Sequence, residues 1–245
     1  MTASRFYSAD MHRIPREITT DALVRISGRR ARTCEPMRRP QPLSMSVMSS
    51  RDVDVRKVVS QHFSEHLSVA EQLDGVLGDS LVTVASVISE SLSKGGIIYW
   101  CGNGGSASDS QHLAAELVGR FRKDRRPLGS VALSSDTSVL TCVANDFGYE
   151  KIFSRQVESL GRTGDVLVAI STSGNSMNVV EAVKSAKNSG ISTVGLLGGA
   201  GGVLRDLVAY PLLVPSTFTA RIQESHILLG HILCDLVEIN LGLPR

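Results

Sequence analysis

Residues 165–176, DVLVAISTSGNS, decide the fold class of this chain. The first six are a short apolar run rich in β-branched side chains, which predicts a buried strand. The segment that follows, 177–187, places Val179, Val180 and Val183 on one face, which predicts a helix. A strand, a hydroxyl-rich turn and a helix N-terminus together form a geometry that can hold an anion, because the first backbone N–H groups of a helix have no intrahelical partner.

The turn itself favours a phosphorylated small molecule. Gly174 lets the backbone approach a ligand closely, and the turn has no lysine, so it lacks the GxxxxGK[ST] nucleotide signature. The alternative is an ordinary cluster of helix-capping residues. Four hydroxyl side chains add hydrogen-bond donors: Ser171, Thr172, Ser173 and Ser176.

The rest of the chain alternates predicted strands with predicted helices and shows no hairpin signals, which indicates a parallel sheet. We therefore predict an α/β fold, a three-layer αβα sandwich with a central parallel sheet, preceded by N-terminal helices. Residues 52–94 form the helical segment, which we expect Gly75 and Gly78 to break in two, and 52–245 pack as one unit. The predicted strands are 97–101, 130–133, 165–170, 193–197 and 210–214, and the later helices are 106–120, 136–144, 151–160, 176–188 and 220–241.

Residues 1–48 differ in composition from everything after them. They carry nine arginines, no lysine and four acidic residues, for a net charge of +5, whereas the rest of the chain has a net charge of −3. They lack hydrophobic periodicity and the apolar core of a secretory signal. We expect a disordered extension, with Met45 or Met48 as the true start of translation. The alternative is a nucleic-acid-binding arm, in which the arginines at 29–32 and 38–39 contact phosphates.

Composition also bounds the class of protein. The chain has 245 residues, 42% of them hydrophobic and 4% aromatic, which is enough apolar material for a full core and suits a parallel sheet. No apolar run reaches 18 residues, so we predict no membrane span. Cys101, Cys142 and Cys234 lie in apolar segments and are expected to be buried free thiols, as in a cytoplasmic protein.

Two predicted strands end in loops of similar chemistry. The first, 97–101, leads into the glycine-rich loop 102–106, and the strand at 165–170 leads into the serine turn. Gly102 and Gly104 superficially match a dinucleotide fingerprint, but the third glycine and the closing acidic residue are missing. Because ligands bind beyond the carboxyl ends of parallel strands, we expect both loops to open toward one crevice that holds a phosphosugar.

Polar residues at helical spacing supply candidate chemistry. His112 and Glu116 are four residues apart on one predicted helix, and Gln223 and His231 are eight apart on the last. Such a set can hold a metal such as Zn²⁺, or Glu116 and His231 can act as an acid/base pair. Spacing alone leaves both possibilities open. The neighbouring Glu224 and His226 are interpreted as helix-surface or interface residues.

Six motifs together identify a family. They include CGNGGS at 101–106, QHLAAEL at 111–117, NDFG at 145–148, GDVL at 164–167, ISTSGNS at 170–176, and ARIQE at 220–224 ending in GH at 230–231. In these motifs the chain resembles the phosphoheptose isomerases of the sugar-isomerase (SIS) superfamily. The resemblance covers roughly residues 52–241 without large gaps, which assigns 95–245 to a SIS domain and leaves 1–48 outside.

The resemblance implies a role for each matching residue. Asn103, Gly104, Gly105, Asn145 and Asp146 would contact the sugar, and Ser171, Thr172, Ser173 and Ser176 would bind its phosphate. One zinc ion per subunit would be held by His112, Glu116, Gln223 and His231, with Glu116 and Gln223 also reaching the substrate. Arg120 matches a family position near the site. Ala220 departs from the pattern, since some members have an aspartate there.

The implied reaction is the isomerisation of sedoheptulose 7-phosphate to D-glycero-D-manno-heptose 7-phosphate through an enediol, in heptose biosynthesis for lipopolysaccharide or capsule. Glu116 is the candidate base and His231 its partner. The resemblance also implies a homotetramer. From the residues themselves we expect a cytoplasmic protein with no membrane and no nucleic-acid partner. Two alternatives are a non-catalytic SIS-domain protein that binds phosphosugars or associates with the replication initiator, and another SIS enzyme. Glu116 and His231 favour catalysis, since a binding protein needs neither.

Overall fold

The computed structural model describes residues 54–244, so the predicted extension at 1–48 lies outside the described residues. Within residues 54–244 there are five strands, β1 Ile98–Cys101, β2 Ser130–Ala132, β3 Val166–Ser171, β4 Ser192–Gly198 and β5 Tyr210–Val214. The same part of the chain forms seven helices, α1 Val55–Ser93, α2 Gly105–Val118, α3 Thr137–Phe147, α4 Ser154–Leu160, α5 Met177–Asn188, α6 Leu204–Leu207 and α7 Thr219–Asn240. A short 3-10 turn, Tyr149–Lys151, precedes α4.

All five strands are parallel, in the order β2-β1-β3-β4-β5. The chain enters the sheet at β1, moves outward to β2, and returns to pair β3 with the other side of β1. In this register Cys101, the last residue of β1, lies beside Ala169. The loops that follow β1 and β3 therefore leave the sheet side by side, and the chain then continues from them toward opposite edges of the sheet. Open α/β sheets bind ligands at such a point.

Helices cover both faces of the sheet, which confirms the three-layer fold. Trp100 and Val168 point into a core shared with α1, α2 and α7. Their neighbours Tyr99 and Leu167 point into a second core shared with α3, α4, α5 and α6. This alternation follows from the strand repeat of two residues, and burial on both faces explains why the strands are almost entirely apolar.

The first helix corrects one prediction, because α1 runs unbroken for 39 residues through Gly75 and Gly78. Each glycine costs a helix interior about 1 kcal/mol relative to alanine. Here Leu73, Leu77 and Leu81 are buried on the same helix, and their packing against the core that contains α7 outweighs that cost. A Cβ at either glycine would meet no atom within 4 Å. The glycines therefore lie on an open side of the helix.

The N-terminal part of α1 remains apolar and exposed. Val55, Val59, Phe63 and Leu67 recur every four residues and are more than half exposed, with Phe63 at 68%. Among residues 54–244, α1 is the one helix that by length and composition could cross a membrane. Since 44% of its most apolar window is buried inside the protein, and core helices pass the same test, this is weak evidence for a span.

Burial corrects two further predictions. Cys101 and Cys234 are buried free thiols, as expected, but Cys142 lies on the outer side of α3 and is exposed.

His226 is fully buried rather than on the surface, because it lies on the inner side of α7. Burial lowers the pKa of its imidazole to about 4, an effect that the backbone of Leu197 offsets only in part. Neither ring nitrogen has a hydrogen-bond partner of regular geometry, so His226 is a neutral core residue near pH 7.

Candidate functional site

The loops after β1 and β3 meet at the carboxyl edge of the sheet. Gly102 lies so close to the end of β3 that a Cβ there would come within 2.9 Å of the Ile170 carbonyl oxygen. Asn103 and Asn178, at the start of α5, exchange two hydrogen bonds, with Nδ2–Oδ1 distances of 2.9 and 2.8 Å. Tyr149 donates a third to Asn103 Oδ1 at 3.0 Å. These contacts fix the glycine-rich loop against the helix that follows the serine turn.

The serine turn is held by its own hydroxyl groups. Ser171 is buried, and its Oγ accepts a hydrogen bond from the Gly174 amide at 3.1 Å and lies 3.2 Å from Ser176 Oγ. Gly174 has a φ of +67°, and a Cβ there would overlap the Gly201 carbonyl, so the turn requires glycine. Ser176 forms no side-chain cap on α5. The first amide groups of α5 thus remain suited to an anion.

A cavity of about 370 Å³ opens beside this turn. Thr172 and Ser173 line one side and the glycine-rich stretch 198–202 lines another. Ser216, Thr217 and Thr219 complete the lining from the start of α7, a contribution that the sequence analysis missed. A signal was present, because STFT at 216–219 is a second hydroxyl cluster that immediately precedes a helix. That helix also begins without a side-chain cap.

The second part of the site lies where α2 packs against α7. His112 Nε2 lies 2.9 Å from His231 Nε2 and 3.3 Å from Glu116 Oε1. One ligand atom from each of these three residues falls within 4.8 Å of the others. Two imidazoles and a carboxylate are a donor set that zinc accepts in proteins, so these residues fit the metal. His112 is exposed and the other two are partly buried, which leaves the cluster open to a ligand.

Gln223 lies two turns before His231 on α7, against the start of α2. A Cβ at Gly105 would overlap the amide nitrogen of Gln223, so the Gln223 side chain reaches the first turn of α2. Thr219 and Ile222, just before Gln223 on α7, line the hydroxyl-lined cavity. Along α7, Gln223 thus lies between this cavity and the cluster at His231. One face of α7 connects the two parts of the site.

The remaining predicted residues lie on other elements. Asn145 and Asp146 are exposed in the last turn of α3, where Asn145 Nδ2 donates to Asp146 Oδ1 at 2.8 Å. Gly104 has a φ of +55° and directly precedes α2. Arg120 is exposed just after α2, with its guanidinium directed to the Arg122 carbonyl at 3.4 Å. Sugar contacts by Gly104, Asn145 and Asp146 stay a prediction.

Comparison with known proteins agrees with this architecture. The SIS domain family matches residues 61–198. Phosphoheptose isomerase from a Nitratiruptor species is 49% identical over 180 residues, which cover 74% of this chain and 96% of that protein. The Rhodospirillum rubrum phosphoheptose isomerase is 53% identical over 165 residues, 66% of this chain and 88% of that protein.

A solved structure extends the likeness from sequence to fold. The phosphoheptose isomerase from Neisseria gonorrhoeae superimposes with a TM-score of 0.72 at 44% sequence identity, over 76% of this chain and 99% of that chain. Sequence identity of 44% over 99% of the length of that chain supports the conclusion that this protein is an isomerase that acts on a phosphosugar. The chain belongs to the SIS domain family and, within it, to the phosphoheptose isomerases.

Proposed function

We propose that this isomerase converts sedoheptulose 7-phosphate into D-glycero-D-manno-heptose 7-phosphate. The observation that carries the proposal is the carboxylate of Glu116 beside two imidazoles, in a chain whose relatives are named phosphoheptose isomerases. A carboxylate and an imidazole in contact form an acid/base pair for moving protons between adjacent carbons. The hydroxyl-lined cavity next to the serine turn offers a place for the phosphate.

The proposed chemistry needs one base, Glu116, and one acid, His231. Glu116 removes a proton from C1 of the ketose, whose C2 carbonyl takes up the electrons and a proton to give the enediol. A proton then adds to C2, supplied by His231, while the O1 hydroxyl loses its proton and C1 becomes the carbonyl carbon. The C2 oxygen takes its proton from water and the O1 proton leaves to water. Transfer of the proton from Glu116 to His231 through water then restores both groups, so the protons balance and no oxidant or reductant is needed.

Zinc is proposed as a bound metal, held by His112, Glu116 and His231 with Gln223 as the fourth ligand. When bound, the ion would supply a positive charge that polarises the sugar oxygens or fixes its ligands in place. The 2.9 Å contact between the His112 and His231 nitrogens supports such a site, since one metal ion can bind both atoms.

We also propose that the protein is a cytoplasmic homotetramer that feeds heptose biosynthesis for lipopolysaccharide or capsule. The exposed apolar side of α1 supports self-association, because Val55, Val59, Phe63 and Leu67 leave a continuous apolar stripe in contact with solvent. A second copy of the chain would bury that stripe. The proposed phosphosugar is then the only other partner, with neither membrane nor nucleic acid involved.

The direct test is to incubate the purified protein with sedoheptulose 7-phosphate and follow the aldose by NMR. We expect the anomeric proton of the heptose 7-phosphate to grow with time and with enzyme concentration. Protein stripped of metal by a chelator and then reloaded with zinc shows whether the ion contributes. Binding of the sugar phosphate without any aldose would contradict catalysis and favour a phosphosugar-binding protein.

The serine turn gives a second, separate prediction. The double variant Ser171→Ala with Ser173→Ala should raise KM for the phosphorylated sugar by at least about 10-fold. Each hydrogen bond to a charged group contributes about 1.5–3 kcal/mol. The variant removes the Ser173 hydroxyl that lines the cavity and the Ser171 hydroxyl that holds the turn. Ser185→Ala is a matched control, because its hydroxyl lies at the far end of α5 and bonds Glu158. An unchanged KM in a folded double variant would place the phosphate elsewhere.

A further inference from the structure

The ring of His231 lies between two other rings. Its centroid is 5.1 Å from that of His112 and 5.5 Å from that of Phe121, with the Phe121 ring inclined by only 31°. His112 belongs to the proposed metal cluster, but Phe121 has no group that can bind metal or move a proton. Phe121 is therefore a neighbour of the cluster with no chemical role in the proposed reaction.

Phe121 belongs to an irregular segment, yet its backbone is firmly held. The segment follows α2 and reaches β2 without forming a helix or strand. The carboxylate of Glu238, on α7, accepts hydrogen bonds from the backbone amides of Phe121 and Arg122, both at 3.2 Å. Glu238 lies two turns after His231 on the same helix. The helix that carries His231 thus also fixes the residue that covers it.

A buried ion pair reinforces that attachment. Arg125 Nε donates to Glu238 Oε1 at 2.7 Å, and neither side chain is exposed to solvent. The other guanidinium nitrogens of Arg125 donate to the backbone carbonyls of Glu116 and Leu117, at 2.8 and 2.9 Å. These carbonyls belong to the last turn of α2, where a helix has no internal donors left. One arginine therefore ties together the helix of Glu116, the loop of Phe121 and the helix of His231.

A second ion pair lies beside the Phe121 ring. The guanidinium of Arg122 lies 5.3 Å from the ring centroid, and its Nε and Nη2 each donate to Asp235 at 3.0 Å. Asp235 lies one turn after His231 on α7. The aromatic ring thus contacts both Arg122 and His231, and α7 carries His231 and the partner of Arg122.

From this arrangement we propose that Phe121 is a positioning residue that holds the imidazole of His231 in its working orientation. The inference rests on the proposed function, in which His231 transfers a proton and helps bind zinc. A ring packed against an imidazole restricts its rotation and keeps water from that face. Small misplacements of reacting groups can lower a rate by about 100-fold, and groups that orient a metal-binding histidine alter metal affinity by about 10- to 100-fold.

The test compares Phe121→Ala, Phe121→Leu and Phe121→Tyr with Tyr210→Ala. Tyr210 is a matched control, because it is also a partly buried aromatic residue packed against the same core, but it lies on β5 at the far edge of the sheet. For each variant we would measure kcat and KM with sedoheptulose 7-phosphate, zinc affinity by competition with a chelator, and Tm. Phe121→Leu preserves apolar packing without the flat ring, in case the alanine variant does not fold.

We expect Phe121→Ala and Phe121→Leu to lower kcat by about 10- to 100-fold and to weaken zinc binding by about 10-fold, with KM changed less than about three-fold. Phe121→Tyr, which retains the ring, should stay near the wild type. The inference is overturned if the leucine variant matches Tyr210→Ala in kcat and zinc affinity. Zinc affinity can be measured without any sugar. A wild-type protein that binds zinc but forms no aldose would refute the proposed function, and the zinc affinities of the variants would still test the role of Phe121. A wild type that does neither overturns both.

Discussion

Replacing Glu116 by glutamine is expected to lower kcat by about 10²- to 10⁴-fold, the range that general acid–base catalysis contributes. Glutamine has nearly the same shape as glutamate but cannot accept a proton from carbon. The carboxylate lies 3.3 Å from His112 Nε2, and its side chain is only 24% exposed, so the substitution alters the centre of the cluster. The measurement is steady-state kinetics with sedoheptulose 7-phosphate at saturating zinc.

Two controls separate loss of the base from loss of the fold. Glu158→Gln changes a carboxylate on α4, on the opposite face of the sheet, and should retain wild-type kcat. The Glu116→Gln variant should still bind the sugar phosphate measurably by calorimetry, because the hydroxyl-lined cavity is intact. Near-normal kcat in this variant would show that another group removes the proton.

Removing Arg125 is expected to produce the largest loss of stability. In Arg125→Met the carboxylate of Glu238 keeps its two backbone amide donors but loses its counter-ion, in a place where both side chains have 0% exposure. Breaking a buried ion pair from one side costs about 3–5 kcal/mol, because a charge is left uncompensated. The Glu116 carbonyl also loses the Arg125 donor, and the Leu117 carbonyl is left with the Leu128 amide alone. For a chain of this size we expect a fall in Tm of roughly 10 °C.

Thermal unfolding of matched variants tests this expectation. Lys184→Met removes a cation from an ion pair with Glu181 whose lysine side chain is 51% exposed, and exposed pairs contribute only about 0–1 kcal/mol. The double variant Arg125→Met with Glu238→Leu should be more stable than Arg125→Met alone, since no buried charge remains. Equal Tm values for the Arg125 and Lys184 variants would refute the buried-pair argument.

Much of the fold follows from patterns within short segments. Apolar runs such as 165–170 predict buried strands because both faces of a parallel sheet are covered, and the repeat in 177–187 predicts α5. Boundaries differ by up to three residues, as at the end of α3 and the start of α4, since helix ends depend on local caps. The sequence also indicated that His112 and Glu116 share a helix face, because a spacing of four is nearly one helical turn.

Failures occurred where the outcome depends on packing against distant residues. Gly75 and Gly78 would weaken an isolated helix, but α7 and the sheet keep α1 continuous. His226 is polar in sequence, yet its side of α7 faces the core. The four-residue helix α6, after the glycine-rich stretch, was not predicted, because one helical turn leaves no periodic signal.

By itself, then, the sequence determined the α/β class, the strands and most helices, the serine turn, and the family to which the chain belongs. Only the tertiary structure decided the strand order, the contact between His112 and His231 across 119 residues, and the hydroxyls that 216–219 add to the cavity. It alone joined Arg125 to Glu238. Local periodicity specifies which face of an element is buried, but it does not specify the partner that covers that face. That partner is determined by packing the whole chain into a single core.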